Sequence, residues 1–263
     1  MKIFDELDFD YSKLGFHEQI KDEIVLSYLD IDKENEYFKK GKYRIVSCHN
    51  LFLHQIYQEK VVGEIKTILR QFLKLHKIKK GDCILIVGLG NDDIISDSLG
   101  NFVCKNILAT RLVSTTTKKH DVCCICPNVQ AVTGISTFDI VSGIVEKIDA
   151  KLIILIDSLL TENIKRLGHS FQLSSIGMTP GGALGQNREI SFETVHVPCI
   201  SMGVPLLADL KNMSKNVKKS VIVAPKDIKF LVERCAAMIA DALNSVVCTT
   251  LSKKEIMETK MPL

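Results

Sequence analysis

Two aspartates stand where apolar runs end. In VGLGNDDIISDSLG (residues 87–100), Gly88 and Gly90 lead into a polar turn holding Asn91, Asp92, Asp93, Ser96 and Asp97. In KLIILID (residues 151–157), Asp157 closes a run of leucine and isoleucine. A carboxylate ending such a run is not there for strand propensity; it either caps the next turn or does chemistry. Three chemistries compete for the first turn. A dinucleotide phosphate needs a third glycine where Asp93 stands, and the carboxylates would repel it; no Gly-Lys-Ser/Thr offers a Walker loop. A metal would need more ligands, with His169 or His196 joining Asp97 and Asp157, and neither histidine lies in a metal-type spacing. A carboxylate pair acting on water needs the fewest additions. Two close carboxyls do not both ionise, so one keeps a proton to polarise a carbonyl while the other activates water.

Two further segments carry loop chemistry. SIGMTPGGALGQNREIS (residues 175–191) is rich in glycine and lacks apolar periodicity; Pro180, Gly181 and Gly182 form its tight centre. Such a loop covers a site or brings backbone N–H groups to it. In CPNVQAVTGISTFDIVSG (residues 126–143), Pro127 ends a strand, Thr133 and Gly134 make a turn, and Ser136 or Thr137 starts a helix.

The surrounding pattern says what positions these groups. Strands are expected at 43–48, 83–90, 122–126, 151–157, 171–176, 197–202 and 220–225. Helices are expected at 56–77, 97–112 (capped by Ser96), 137–148, 161–167 and 226–247, with a short one after Pro205. The helix at 56–77 shows one apolar stripe, Val61, Ile65, Ile68, Leu69, Phe72 and Leu75. This alternation predicts an α/β fold, an open and mainly parallel sheet with helices on both faces, whose ligands bind outside the carboxyl ends of the strands. Residues 1–42, polar and weakly periodic, read as an extension that is loosely packed or removable; residues 43–263 read as one α/β domain.

The bulk numbers exclude little else. In 263 residues, 46% are hydrophobic and 25% charged, which fits a globular chain. A net charge of +3 gives no reason to expect nucleic acid or a membrane surface as partner. The basic segments 59–80 and 211–229 read as solvated faces. No secretory leader or membrane span is visible, and nine cysteines, mostly in apolar runs, suit a reducing cytoplasm. Cys123, Cys124 and Cys126 in VCCICP lack a second pair at zinc spacing and read as a buried strand. No metal or cofactor is expected.

Taken together, VGLGN with SDSLG, PNVQAVTGISTFDIVSGIVEK, IDSLL, TPGGALGQNREIS with VPCISMGVP, and VIVAPKDIKFLVE with IADALN resemble the germination proteases of endospore-forming bacteria. The resemblance runs from about residue 83 to 247. It implies a fold similar to that of the hydrogenase maturation endopeptidases. It also implies an atypical aspartic endopeptidase that cleaves small acid-soluble spore proteins during germination, with Asp97 and Asp157 as the catalytic pair. It further implies a zymogen that trims its own N-terminus and a homo-oligomer, a tetramer. The chain departs from the family in being shorter, and in reading Asp-Ser-Leu at both aspartates where the family commonly has Asp-Ala-Leu; Ser98 and Ser158 offer an added hydrogen bond there. Two alternatives stand beside this reading. One is a metal-dependent, maturation-type endopeptidase. The other is a non-catalytic homologue that binds spore-type proteins.

Overall fold

The computed structural model describes residues 15–112, 117–161, 163–181, 188–210 and 221–250. Nine strands form one sheet: β1 (His17–Lys21), β2 (Ile24–Ile31), β3 (Gly41–Cys48), β4 (Cys83–Gly88), β5 (Asp121–Ile125), β6 (Leu152–Thr161), β7 (Ser170–Ser174), β8 (Cys199–Asp209) and β9 (Ile222–Val223). Their order is β1-β2-β3-β7-β8-β6-β4-β5, with β9 pairing the end of β8. The helices are α1 (Gln55–Leu75), α2 (Leu99–Asn106), α3 (Gln130–Thr133), α4 (Thr137–Ile148), α5 (Phe192–Val195) and α6 (Ile228–Leu243).

The expected α/β architecture is present, with a parallel block and an antiparallel flank. β5, β4, β6 and β8 run parallel. β7, β3, β2 and β1 continue the sheet antiparallel, so the whole is mixed. The parallel strands are apolar on both faces because both are covered. Ile84, Ile86, Ile154 and Ile156 pack in a layer with α1, α2 and α6. Leu85, Val87, Ile153 and Leu155 face the other way, against Phe138, Val141 and Val145 of α4. A third cluster (Phe16, Leu29, Phe38, Tyr43 and Ile45) closes the antiparallel end.

Several elements differ from the sequence reading, each for a local reason. Residues 17–31, which show no clear period, form β1 and β2; Ile24 and Leu29 are buried while β1 is exposed along its length. The helix expected at 97–112 is shorter. A 3-10 turn at Ile95–Asp97 precedes it, Ser98 rather than Ser96 is its N-cap, and it stops at Asn106. The short helix expected after Pro205 is instead the second half of β8, because Leu206 and Ala208 are buried there. The pairing shifts between Leu159 and Leu160 beside Pro205, which absorbs the missing N–H. β6 runs on to Thr161, leaving only a 3-10 turn at Ile164–Arg166. β9 keeps two residues of the strand expected at 220–225. Ser136 caps α4 as expected, accepting from Asp139 N–H. Cys126 is exposed and Cys83, Cys123 and Cys124 half-buried, so VCCICP is an edge strand and its exit rather than a buried one; all nine cysteines are free thiols. Gly182 and residues 211–220 lie outside the described residues. Among the described residues no helix is long and apolar enough to cross a membrane.

One contact ties the helix layer to the strand ends. A Cβ on Gly100 would stand 2.5 Å from Leu89 N, 2.6 Å from Gly88 Cα and 2.6 Å from Ile156 O. Only hydrogen fits there, so α2 lies directly on the ends of β4 and β6. Gly100→Ala is expected to cost about 1–3 kcal/mol through overpacking against backbone. Gly143→Ala, in a helix with nothing within 4 Å of the new methyl, is expected to gain about 0.5–1 kcal/mol. Denaturant midpoints of the two variants should move in opposite directions.

Candidate active site

Asp97 is set by glycines and one backbone bond. After β4, Leu89 N–H donates to Ile156 O across to β6 at 2.8 Å. Gly90 then turns the chain at φ +105°, where a Cβ would lie 1.8 Å from Asp97 O and 3.4 Å from its carboxyl carbon. Asn91 N–H donates to Asp97 Oδ2 at 2.8 Å, and the turn is closed by Asp97 N–H to Ile94 O at 2.8 Å. Gly88, Gly90 and Asn91 therefore fold around Asp97. The 3-10 turn carrying it packs on β6, β8 and α6.

Asp157 lies in β6, directly after Ile156, whose carbonyl holds Leu89. It is 9% exposed and pairs in register with Gly203 of β8. Its Oδ1 accepts the N–H of Ser158 at 2.8 Å. The two Asp-Ser-Leu serines do not turn their hydroxyls to the aspartates: Ser98 Oγ donates to Ile95 O at 2.8 Å, and Ser158 Oγ accepts Leu99 N–H at 3.4 Å. Ser158 thus links β6 to the first turn of α2. Asp157 thus lies within β6 and Asp97 in the turn that follows the adjacent parallel strand β4, the two strands being joined at Leu89 and Ile156.

The other expected site residues divide. Thr133 and Gly134 end α3 within their own loop: Thr133 Oγ1 donates to Ile135 O at 3.0 Å, and Gly134, at φ +71°, returns its N–H to Gln130 O. Pro180 is buried and Gly181 exposed with φ +59°. They follow the bridge between Met178 and Ile190. Ile190 sits in the apolar cluster that contains Leu89, so this loop is rooted beside the Asp97 turn. Arg188, on the same loop, stacks its guanidinium 4.0 Å from the centre of the Phe138 ring. His169 packs its ring on His49 and Phe52, while His196 stands exposed, left-handed, at the end of α5. Sequence reasoning passed over Gln172 and Gly203, which share a row with Asp157; the one available signal was a glutamine between apolar residues in SFQLS.

The electrostatics separate Asp97 from an ordinary surface carboxylate. Burial pushes its carboxyl above the usual value of 3.8, and the Asn91 N–H pulls back less strongly. The arrangement so far defines an α/β protein with one aspartate in β6 and another, its carboxyl shifted up by burial, in the turn after the neighbouring strand.

Residues 4–217 match the model of the germination protease family. The chain belongs to that family. It is 33% identical over 211 residues to the germination protease of Geobacillus sp., covering 76% of this chain and 57% of that protein. To that of Oceanobacillus iheyensis it is 34% identical over 205 residues, covering 74% and 56%. To that of Caldanaerobacter subterraneus subsp. tengcongensis it is 29% identical over 247 residues, covering 76% and 75%. The chain thus spans a little over half the length of the first two relatives.

Desolvation makes ionising the half-buried Asp97 carboxyl cost stability. Its folded-state pKa lies above the unfolded one, so the native state binds its proton more tightly and stability falls as pH rises through that window. Asp97→Asn keeps an acceptor for Asn91 N–H and carries no charge. It is expected to raise the Tm at pH 7, with the gain vanishing as pH drops below the ordinary carboxylate range. A lower Tm at pH 7 would contradict the burial argument.

Proposed function

We propose that this chain is an endopeptidase of aspartic type, acting through Asp97 and Asp157 on a water. The observation that carries the reading is that one carboxylate lies in β6 and the other in the turn that follows its parallel neighbour β4. Leu89 N–H to Ile156 O locks the two strands together, in a chain of the germination protease family. Asp97, whose proton burial favours, is the acid that polarises the scissile carbonyl. Asp157 is the base that takes a proton from water. The water attacks the carbonyl carbon, Asp97 protonates the developing oxyanion, and collapse expels the amine with the proton that Asp157 received while Asp97 takes its proton back from the gem-diol. No covalent enzyme intermediate forms.

The substrates of this reading are small acid-soluble spore proteins, cleaved during germination in the cytoplasm. Family membership supports that choice, as do exposed apolar side chains in the loops around the strand ends: Ile94 and Ile95 before Asp97, Val132 and Ile135 after β5. These suit an extended, unfolded chain better than a compact one. Self-trimming of the N-terminal segment and assembly into a tetramer belong to the same proposal. Residues 17–31 are strands of the sheet, so trimming would have to fall before His17 to leave the sheet whole.

Wild type, Asp97→Asn and Asp157→Asn would each be incubated with a small acid-soluble spore protein and followed by mass spectrometry. Each variant is expected to stay folded and lose about 100-fold or more in rate. Cleavage at the wild-type rate by either folded variant would remove the aspartate pair as the mechanism.

A further inference from the structure

Cysteines gather around β5 in two groups, on opposite faces of the strand. On the α4 face, Cys123 interacts with Cys83 of β4. On the other face, which packs on α1, α2 and α6, Cys124 and Cys126 both reach Cys104 of α2 as hydrogen-bond partners. Cys104 Sγ lies 3.6 Å from Ile125 O, and Cys124 Sγ donates to Cys104 O at 3.9 Å. Cys104 is buried without slack: a Cβ on Gly88 would stand 2.9 Å from its sulfur. Of the nine cysteines, Cys126 alone is exposed.

Geometry selects one pair within the second group. Cys124 and Cys126 are two residues apart on extended chain, so their Cα atoms stand roughly 6.6 Å apart with side chains running abreast. That is at the outer limit for a disulfide, whose Cβ atoms must come within about 4.5 Å. Cys104 approaches instead from another element, and Cys124 spends its hydrogen on the Cys104 carbonyl. The electrostatics favour the same choice. The neighbouring Cys104 thiol holds Cys126 below the ordinary thiol range, with help from Lys105; burial, Cys124 and Asp92 oppose this without cancelling it. Cys124, Cys126 and burial push Cys104 up, so it stays a thiol. Burial likewise pushes Cys83 up, and Cys123 to about 12. An accessible thiolate beside a resolving thiol is what a redox-responsive cysteine needs. Cys83 and Cys123 lack it and serve as an internal control.

We propose that Cys126 and Cys104 are an oxidation site that closes into a disulfide on exposure to hydrogen peroxide. Its chemistry does not depend on Asp97 or Asp157. The Cys126 thiolate attacks one peroxide oxygen, the O–O bond breaks, and the departing hydroxide takes a proton from solvent to leave as water. The Cys104 sulfur then attacks the sulfur of the resulting sulfenic acid. The S–O bond breaks, and hydroxide leaves as water with the Cys104 proton. Each sulfur loses one electron and the peroxide gains both. The new bond ties α2 to the residue before Pro127, where the loop carrying Thr133 and Gly134 begins.

The reduced protein would be treated with equimolar hydrogen peroxide, its remaining thiols alkylated, and its peptides mapped by mass spectrometry. The expected product is a crosslink between Cys104 and Cys126, reversed by dithiothreitol, with Cys83 and Cys123 still free. Before oxidation, Cys126 is expected to alkylate with iodoacetamide at pH 7 about 10-fold or more faster than any other thiol. Cys126→Ser should abolish the crosslink and Cys124→Ser should leave it in place. Cys104→Ser should leave a sulfenic acid on Cys126 that dimedone traps. No crosslink between Cys104 and Cys126 in peroxide-treated wild type would overturn the proposal, as would a bond from Cys126 to Cys124 or oxidation spread evenly over the cysteines. So would zinc held by the reduced protein and lost in Cys126→Ser, which would make the sulfurs a metal site. Wild type and Cys126→Ser, at its exposed position, decide the matter if Cys104→Ser does not fold.

Discussion

The close approach of α2 to the ends of β4 and β6 is the constraint on which the site depends. Gly88 and Gly100 face one another with no room for a Cβ on either: one on Gly88 would stand 2.3 Å from Gly100 O. That contact puts the start of α2 against the strand ends. It leaves the chain only a short turn to get from Gly88 to Leu99. Gly90 supplies the left-handed step, and Asp97 is carried back over the strand from which the turn began. The glycines therefore serve packing, not phosphate. The same contact leaves Asp97 half-buried, and that partial burial is what shifts its carboxyl upward.

A second constraint comes from the mixed sheet. β6 is buried on both faces, and Asp157 within it is only 9% exposed. Helix α4 covers β4 and β6 up to Leu155 on one face, and the next residue on the same face is Asp157. Its lateral neighbour on β8 is a glycine, and the residue beyond that, on β7, is Gln172. β7 runs antiparallel to β8. A purely parallel sheet would have required a crossover there; the antiparallel strand instead brings Gln172 level with Asp157 in the middle of β6.

Much of this was legible in the sequence because the physics is local. The apolar stripe of α1, the unbroken apolar runs of β4 and β6 and the cap at Ser136 each follow from side-chain period or chemistry within a few residues. Asp97 and Asp157 stood out because carboxylates at the end of such runs have no propensity reason to be there. What remained hidden depends on distant partners. β1 and β2 are held by pairing to β3, not by their own pattern. The second half of β8 survives Pro205 because Leu206 and Ala208 are buried and a bulge accommodates the ring. The row that joins Asp157 to Gln172 is a matter of register across three strands, which no spacing along the chain reveals.

The central claim is that the half-buried Asp97 carboxyl works protonated while Asp157 works ionised. The pH dependence of kcat/KM for wild-type cleavage of a small acid-soluble spore protein tests it most directly. Asp97 as the acid predicts a rate that falls as pH rises past its elevated carboxyl pKa, and Asp157 as the base predicts a second fall toward acid, giving a bell. Asp97 has no proton left to give at high pH, so activity that climbs steadily through about pH 8, as a thiol or metal-bound hydroxide would give, would contradict the account.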